Sequence, residues 1–138
     1  MKYISSANIP CGWHARDPMV MAQTVRLAKE KGVEVGAHFG YPDLMGFGRR
    51  RMDLTMGEIE NYTLYQIGTL YVYAIARAYG LSPQHVKVHE ALGNLAFADL
   101  EGSKAIARSA FRFSREIILV IYAGTIMAKA AKEIGPGG

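Results

Sequence analysis

"VEVGAHFGYPDLMGFGRRRMDL", Val33 to Leu54, begins as an apolar strand, reaches His38, and then breaks into glycine, proline, aspartate and three successive arginines. The apolar run followed by turn residues predicts a buried strand over Val33–Phe39. What lies on either side decides the kind of sheet. Upstream, Asp17-Pro18 supplies an N-cap and a first-turn proline for a helix from Pro18 to Lys31, with Val20, Thr24 and Leu27 at helical spacing and Gly32 at its C-terminal cap. Before that helix, "YISSANI" (Tyr3–Ile9) reads as a short strand. Downstream, Thr55 and Glu58 form a capping box ahead of a long periodic segment carrying Ile59, Tyr62, Ile67, Leu70 and Ala74, in which Tyr65, Tyr71 and Tyr73 read as packing or contact residues.

The alternation continues to the end of the chain. "HVKVHEAL" (His85–Leu92) reads as a third strand, a helix covers Leu100–Phe111 with an interruption near Gly102, and "EIILVIYAG" (Glu116–Gly124) reads as a fourth strand buried on both faces. A last helix spans Thr125–Ile134. Strand and helix alternating four times imply a parallel sheet, hence an α/β layered fold or a segment of a barrel. In such folds the chemistry sits at the carboxyl ends of the strands.

That rule selects the candidate site. His14 follows the first strand, His38 ends the second and His89 ends the third. One histidine at a strand end is ordinarily a hydrogen-bonded structural residue, but three at one edge should converge on a cleft, able to move protons near neutral pH or to hold a divalent ion. Alternation puts His85, Lys87 and His89 on one strand face, and an inward lysine needs a bound anion or a carboxylate such as Asp43; a sheet-edge lysine reaching solvent is the competing reading. His85, at the start of the strand, reads as structural. Gly46 and Gly48 permit a tight loop from which Arg49 and Arg50 could clamp a carboxylate or phosphate; a solvated basic turn is the competing reading. Cys11, three residues before His14, reads as a small buried residue rather than a nucleophile.

Composition narrows the function classes. Half of the 138 residues are apolar, enough for one domain with a real core. The net charge of +4 is spread along the chain apart from Arg49, Arg50 and Arg51, which is not a nucleic-acid signature. One cysteine and no leader-like segment point to a cytoplasmic protein, and the longest apolar run, "IILVIYAGTIMA", is too short for a membrane helix.

"SANIPCGWHARDP", "VGAHFGYPDLMGFGRR", "LYQIGTLYVYA", "HVKVHEALGN" and "IILVIYAG", in this order and spacing, resemble the LamB/YcsF family, the A subunits of prokaryotic 5-oxoprolinase. The resemblance covers almost the whole chain. It implies a partial (β/α) barrel of the glycoside hydrolase/deacetylase type, with about four βα units and parallel strands, forming one incomplete domain over residues 1–138. It also implies ATP-dependent opening of the 5-oxoproline lactam to glutamate, with two partner subunits. Carried over by position, His14, His38, Asp43, Lys87 and His89 are polar motif residues at the barrel mouth. Arg49 and Arg50 are the family's arginine pair, and Asn8 and Asn94 are further hydrogen-bonding lining.

The departures from the family pattern are specific. The acidic "N-x-D-x-G-E"-like first strand and the second half of a full-length member are absent, so four βα units cannot close a barrel. Arg16 stands where the family has glycine and Phe39 where it has proline. "KVHEALGN" replaces "KPHGALYN", which puts Glu90 at a glycine position and Gly93 at a tyrosine position. Two alternatives accompany the hydrolase reading. One is a noncatalytic homologue that acts by association with itself or with partner subunits. The other is a metal-dependent deacetylase-like hydrolase, with His14, His38 and His89 as candidate ligands and Asp43 or another chain supplying an aspartate.

Overall fold

A computed structural model describes residues 3–71 and 75–135, with the side chain of Tyr71 outside the description. Tyr73 and Ala74, which the sequence pattern places on the long helix, lie outside the described residues. Four parallel strands, β1 (Ser6–Pro10), β2 (Glu34–Phe39), β3 (His85–Val88) and β4 (Ile118–Val120), form one sheet in the order β1-β2-β3-β4. The spatial order follows the sequence order, as in a stretch of (β/α) barrel. No helix among the described residues is long and apolar enough to cross a membrane.

Helix α1 (Pro18–Glu30) starts where Asp17 Oδ1 accepts from the Met19 and Val20 amides, and past its end Gly32 takes a left-handed φ of 62°. Its buried face is Met21, Val25 and Ala28 rather than Val20, Thr24 and Leu27, a rotation of one residue. The two stripes overlap in the sequence; packing chooses the one ending in Ala28, whose carbonyl accepts from Val33 as the chain turns closely into β2.

Helix α2 (Met56–Tyr71) carries the expected capping box. Thr55 N–H donates to Glu58 Oε2 at 2.8 Å and Glu58 N–H donates back to Thr55 Oγ1 at 3.3 Å; the Thr55 N–H and hydroxyl, both donating to Glu58 Oε2, hold the Glu58 carboxyl below its usual range. Ile59, Ile67 and Leu70 enter the core, while Tyr62 and Tyr65 pack against Trp13 at ring separations of 4.6 and 5.2 Å. A short helix α3 (Ile75–Ala78) leads to β3.

Three expectations are corrected after β3. The strand stops at Val88, and a helix α4 (Glu90–Ala98) occupies residues assigned to strand and loop, because the backbone turns sharply at Glu90, φ 36°. Helix α5 (Leu100–Phe113) is unbroken at Gly102, since that residue lies in the first turn and its N–H donates to the Asp99 cap. Strand β4 is only three residues long, and Ile118 is 53% exposed instead of buried on both faces. Helix α6 (Ile126–Ile134) follows, capped by Thr125.

The register sorts the strands into two faces. Ile9, Ala37, Val86 and Leu119 align on the face turned to the helices. On the other face, Asn8, Gly36, His85 and Ile118 make one row, and Pro10, His38, Lys87 and Val120 make the next, nearer the carboxyl ends. In a closed barrel this second face would be enclosed; here it ends in exposed Ile118 and Val120.

Candidate functional site

The row closest to the carboxyl ends sets His38 beside Lys87. His89 follows immediately after β3, its N–H donating to the Phe39 carbonyl at 2.8 Å. His14 arrives from the β1–α1 loop, which turns at Gly12 (φ 90°), and is 1% exposed. Its ring stacks on His89 with centroids 4.1 Å apart and planes 11° from parallel, while the His38 ring stands edge-on to both. The three strand-end histidines therefore converge.

Their hydrogen bonds identify which nitrogens are donors. A carbonyl can only accept, so His38 Nδ1–H donates to the Lys87 carbonyl at 3.0 Å and His89 Nε2–H donates to the Phe47 carbonyl at 2.8 Å. The two remaining nitrogens, His38 Nε2 and His89 Nδ1, face each other at 3.0 Å. Both ring nitrogens of His14 are buried without a hydrogen-bond partner. Burial, with the neighbouring His89 and His38, pushes His14 down to about 3. Burial above all lowers His38 to about 4, against the opposing pull of the Lys87 carbonyl.

The loop after β2 folds over this cluster. Gly40 and Gly48 admit the rings: a Cβ at Gly48 would lie 2.8 Å from His14 Cβ and 2.9 Å from His89 Cδ2, and one at Gly40 3.1 Å from His14 Nδ1. Phe47 contributes both its carbonyl and an edge-on ring 5.3 Å from His89.

Asp43 has a different part from the expected one. It does not sit opposite Lys87; it accepts from the Gly46 N–H at 2.9 Å and pairs with the Arg50 guanidinium, whose Nε lies 3.1 Å from both carboxylate oxygens. Those bonds hold the Asp43 carboxyl down at about 2, Arg50 being the largest influence. Arg50 is thereby tied into its own loop rather than clamping an anion with Arg49. Arg49 lies over the Phe47 ring and 3.9 Å from Glu90.

A cavity of about 220 Å³ opens beside the histidines, lined among others by His38, Lys87, His89, Glu90, Asn94 and Tyr122. Lys87 Nζ stands 5.9 Å over the Tyr122 ring. Asn94 thus reaches the site, whereas Asn8 belongs to the lower row and meets His85 Nε2 through its Oδ1 at 2.9 Å. Cys11 is buried, donates to the Ile9 carbonyl, and is pushed up to about 12 by burial, in keeping with a packing role.

Three participants are not singled out by motif reasoning. The Phe47 carbonyl leaves no mark in a side-chain pattern. Tyr122 lies just past β4. Gln66 brackets Gly40, accepting from its N–H at 3.0 Å and donating to its carbonyl at 2.8 Å; a glutamine inside the apolar stripe of α2 is the signal that could have found it.

A family model described as the LamB/YcsF family matches residues 1–137. A protein of Thermococcus onnurineus, named as the A subunit of 5-oxoprolinase, is 56% identical over 135 residues, covering 98% of this chain and 52% of its own length. Its namesake from Pyrococcus horikoshii is 54% identical with the same coverage. The crystal structure of a lactam utilization protein from Thermus thermophilus superimposes with a TM-score of 0.91 at 45% identity, over 94% of this chain and 52% of that one. The chain spans about half the length of the relatives it matches.

Proposed function

The chain belongs to the LamB/YcsF family, and from that premise we propose that it serves as the A component of an ATP-dependent 5-oxoprolinase, opening the lactam to glutamate in the cytoplasm. The observation that carries this reading is the pairing of His38 with Lys87 at the carboxyl edge of the sheet, on a cavity shared with His89 and Asn94. Relatives named for the 5-oxoprolinase reaction support the choice of substrate. ATP and two companion subunits belong to the same proposal.

Opening a lactam requires stabilisation of negative charge on the ring carbonyl oxygen and a base for the attacking water. The Lys87 ammonium and the Asn94 amide supply donors to that oxygen or to a phosphate placed on it by ATP. The inner nitrogens of His38 and His89, which face each other at 3.0 Å, are the pair that would share a proton taken from the attacking water. Phe47, Gly48 and the Asp43–Arg50 pair hold the rings in place.

A second reading has its own observation. Ile118, Val120 and Tyr122 leave the β4 side of the sheet apolar and exposed, which suits a noncatalytic chain acting through association with a second copy or a partner. The test is glutamate release from 5-oxoproline and ATP, by the chain alone and with the two companion subunits, beside a His38→Ala control. Turnover that the substitution abolishes establishes the hydrolase; a folded chain inactive in both settings moves the assignment to the noncatalytic reading.

A further inference from the structure

We propose that His14, His38 and His89 form a three-histidine site for one divalent transition metal of the zinc class, with a remaining coordination position open to the cavity. The ligand nitrogens, one from each ring, all lie within 4.8 Å of one another. His38 stands on β2 itself, while His14 and His89 lie in the connections that follow β1 and β3, so the sheet, not a flexible tail, fixes their separation.

The hydrogen bonds around the cluster are those of ligands already oriented. Metal-bound histidines characteristically donate their outer N–H to a carbonyl or carboxylate, which fixes the tautomer and aims the other nitrogen at the metal. His38 does this with the Lys87 carbonyl and His89 with the Phe47 carbonyl. The inner lone pairs then meet at 3.0 Å, an arrangement that demands an electron-poor occupant between them. A shared proton or a metal ion meets that demand.

His14 decides between the two. A proton between His38 and His89 would leave both buried nitrogens of His14 unpartnered, whereas a metal takes one of them as its third ligand. Two nearly parallel rings cannot both aim an in-plane lone pair at one ion about 2.0–2.1 Å away. His14 therefore turns out of its stack on His89 when the ion enters. An all-imidazole donor set selects zinc, cobalt, nickel or copper over magnesium or calcium. Three protein ligands with an open position match the catalytic rather than the structural type of zinc site.

This site shares the cavity of the lactam reading but is tested without substrate, nucleotide or companion subunits, so either idea can fail alone. The full chain is stripped with a chelator and titrated with zinc by calorimetry, and with cobalt(II) by visible absorption. One equivalent bound at micromolar metal, with the intense visible bands of nitrogen-ligated low-symmetry cobalt, is expected. His38→Ala and His89→Ala should lose it, and His14→Asn should weaken it, while exposed Arg49→Ala should retain it. Circular dichroism establishes that each variant is folded. Absence of stoichiometric binding by the wild-type chain, or undiminished binding by the folded His38→Ala and His89→Ala variants, would overturn the proposal.

Discussion

His38 Nε2 and His89 Nδ1 face each other at 3.0 Å across the boundary between β2 and β3, and Gly48 is what lets a loop close over them. Its φ of 68° and the 2.8 Å approach to His14 leave no room for a methyl group. Gly48→Ala should lower the urea midpoint by an amount equivalent to about 1–3 kcal/mol and disturb the histidine ring signals in NMR spectra. Gly68→Ala provides the contrast. It lies inside α2 with open space where the Cβ would go, so the same change there should stabilise by about 0.5–1 kcal/mol.

The Asp43–Arg50 pair predicts a pH dependence with a definite sign. The folded-state pKa of Asp43 is depressed from 3.8 to about 2, so its contribution to stability is fully present above the ordinary carboxylate range and is lost as pH falls through about 2. Urea midpoints of the wild type and Asp43→Asn should therefore differ most above about pH 5 and converge in strong acid. A constant gap across that range would mean that the asparagine acts by disturbing loop shape instead.

Arg16 and Glu90, which the sequence resemblance leads one to expect at glycine positions, both have left-handed backbones, φ 73° and 36°. Such residues carry strain of about 1 kcal/mol or more. Little offsets it: Arg16 is exposed, and the Glu90 contact with Arg49 is a 3.9 Å pair between exposed side chains, which contributes little in water. Arg16→Gly and Glu90→Gly should each raise the unfolding free energy by about 1 kcal/mol, measured by urea titration. If Glu90→Gly gains stability and turnover falls, the carboxylate has a part in the cavity that the strain maintains.

What the sequence discloses follows the range of the interactions. The capping box of α2, the Asp17 cap of α1 and the apolar run of β2 are set by neighbours within a turn or two, and each forms as expected. Convergence of His14, His38 and His89 is also legible, because the parallel topology alone sends strand ends to one edge. The exposure of β4 is not legible, since an apolar triplet is the same whether or not anything packs opposite it. Nor is the attachment of Asp43 to Arg50 rather than Lys87, which depends on the turn through Gly46; a Cβ there would fall on the Asp43 carboxylate. Asn8 is misplaced for a similar reason: two residues along a strand move a side chain one row down, from the cavity to His85.

Lys87 is the cation that the sheet register holds beside His38, and its aliphatic stem lies half-buried against the cavity wall with Nζ 5.9 Å over Tyr122. Lys87→Met keeps the stem and removes the charge, so the fold should survive. If the ammonium stabilises the developing oxyanion of the lactam, the reconstituted turnover should fall by about 10²–10³-fold, mostly in kcat. Lys87→Arg should recover part of it, because a guanidinium retains the charge but places its donors differently. A Lys87→Met chain with unchanged kcat and a raised KM would make Lys87 a binding residue for the substrate's carboxylate, and one with both constants unchanged would remove it from the site.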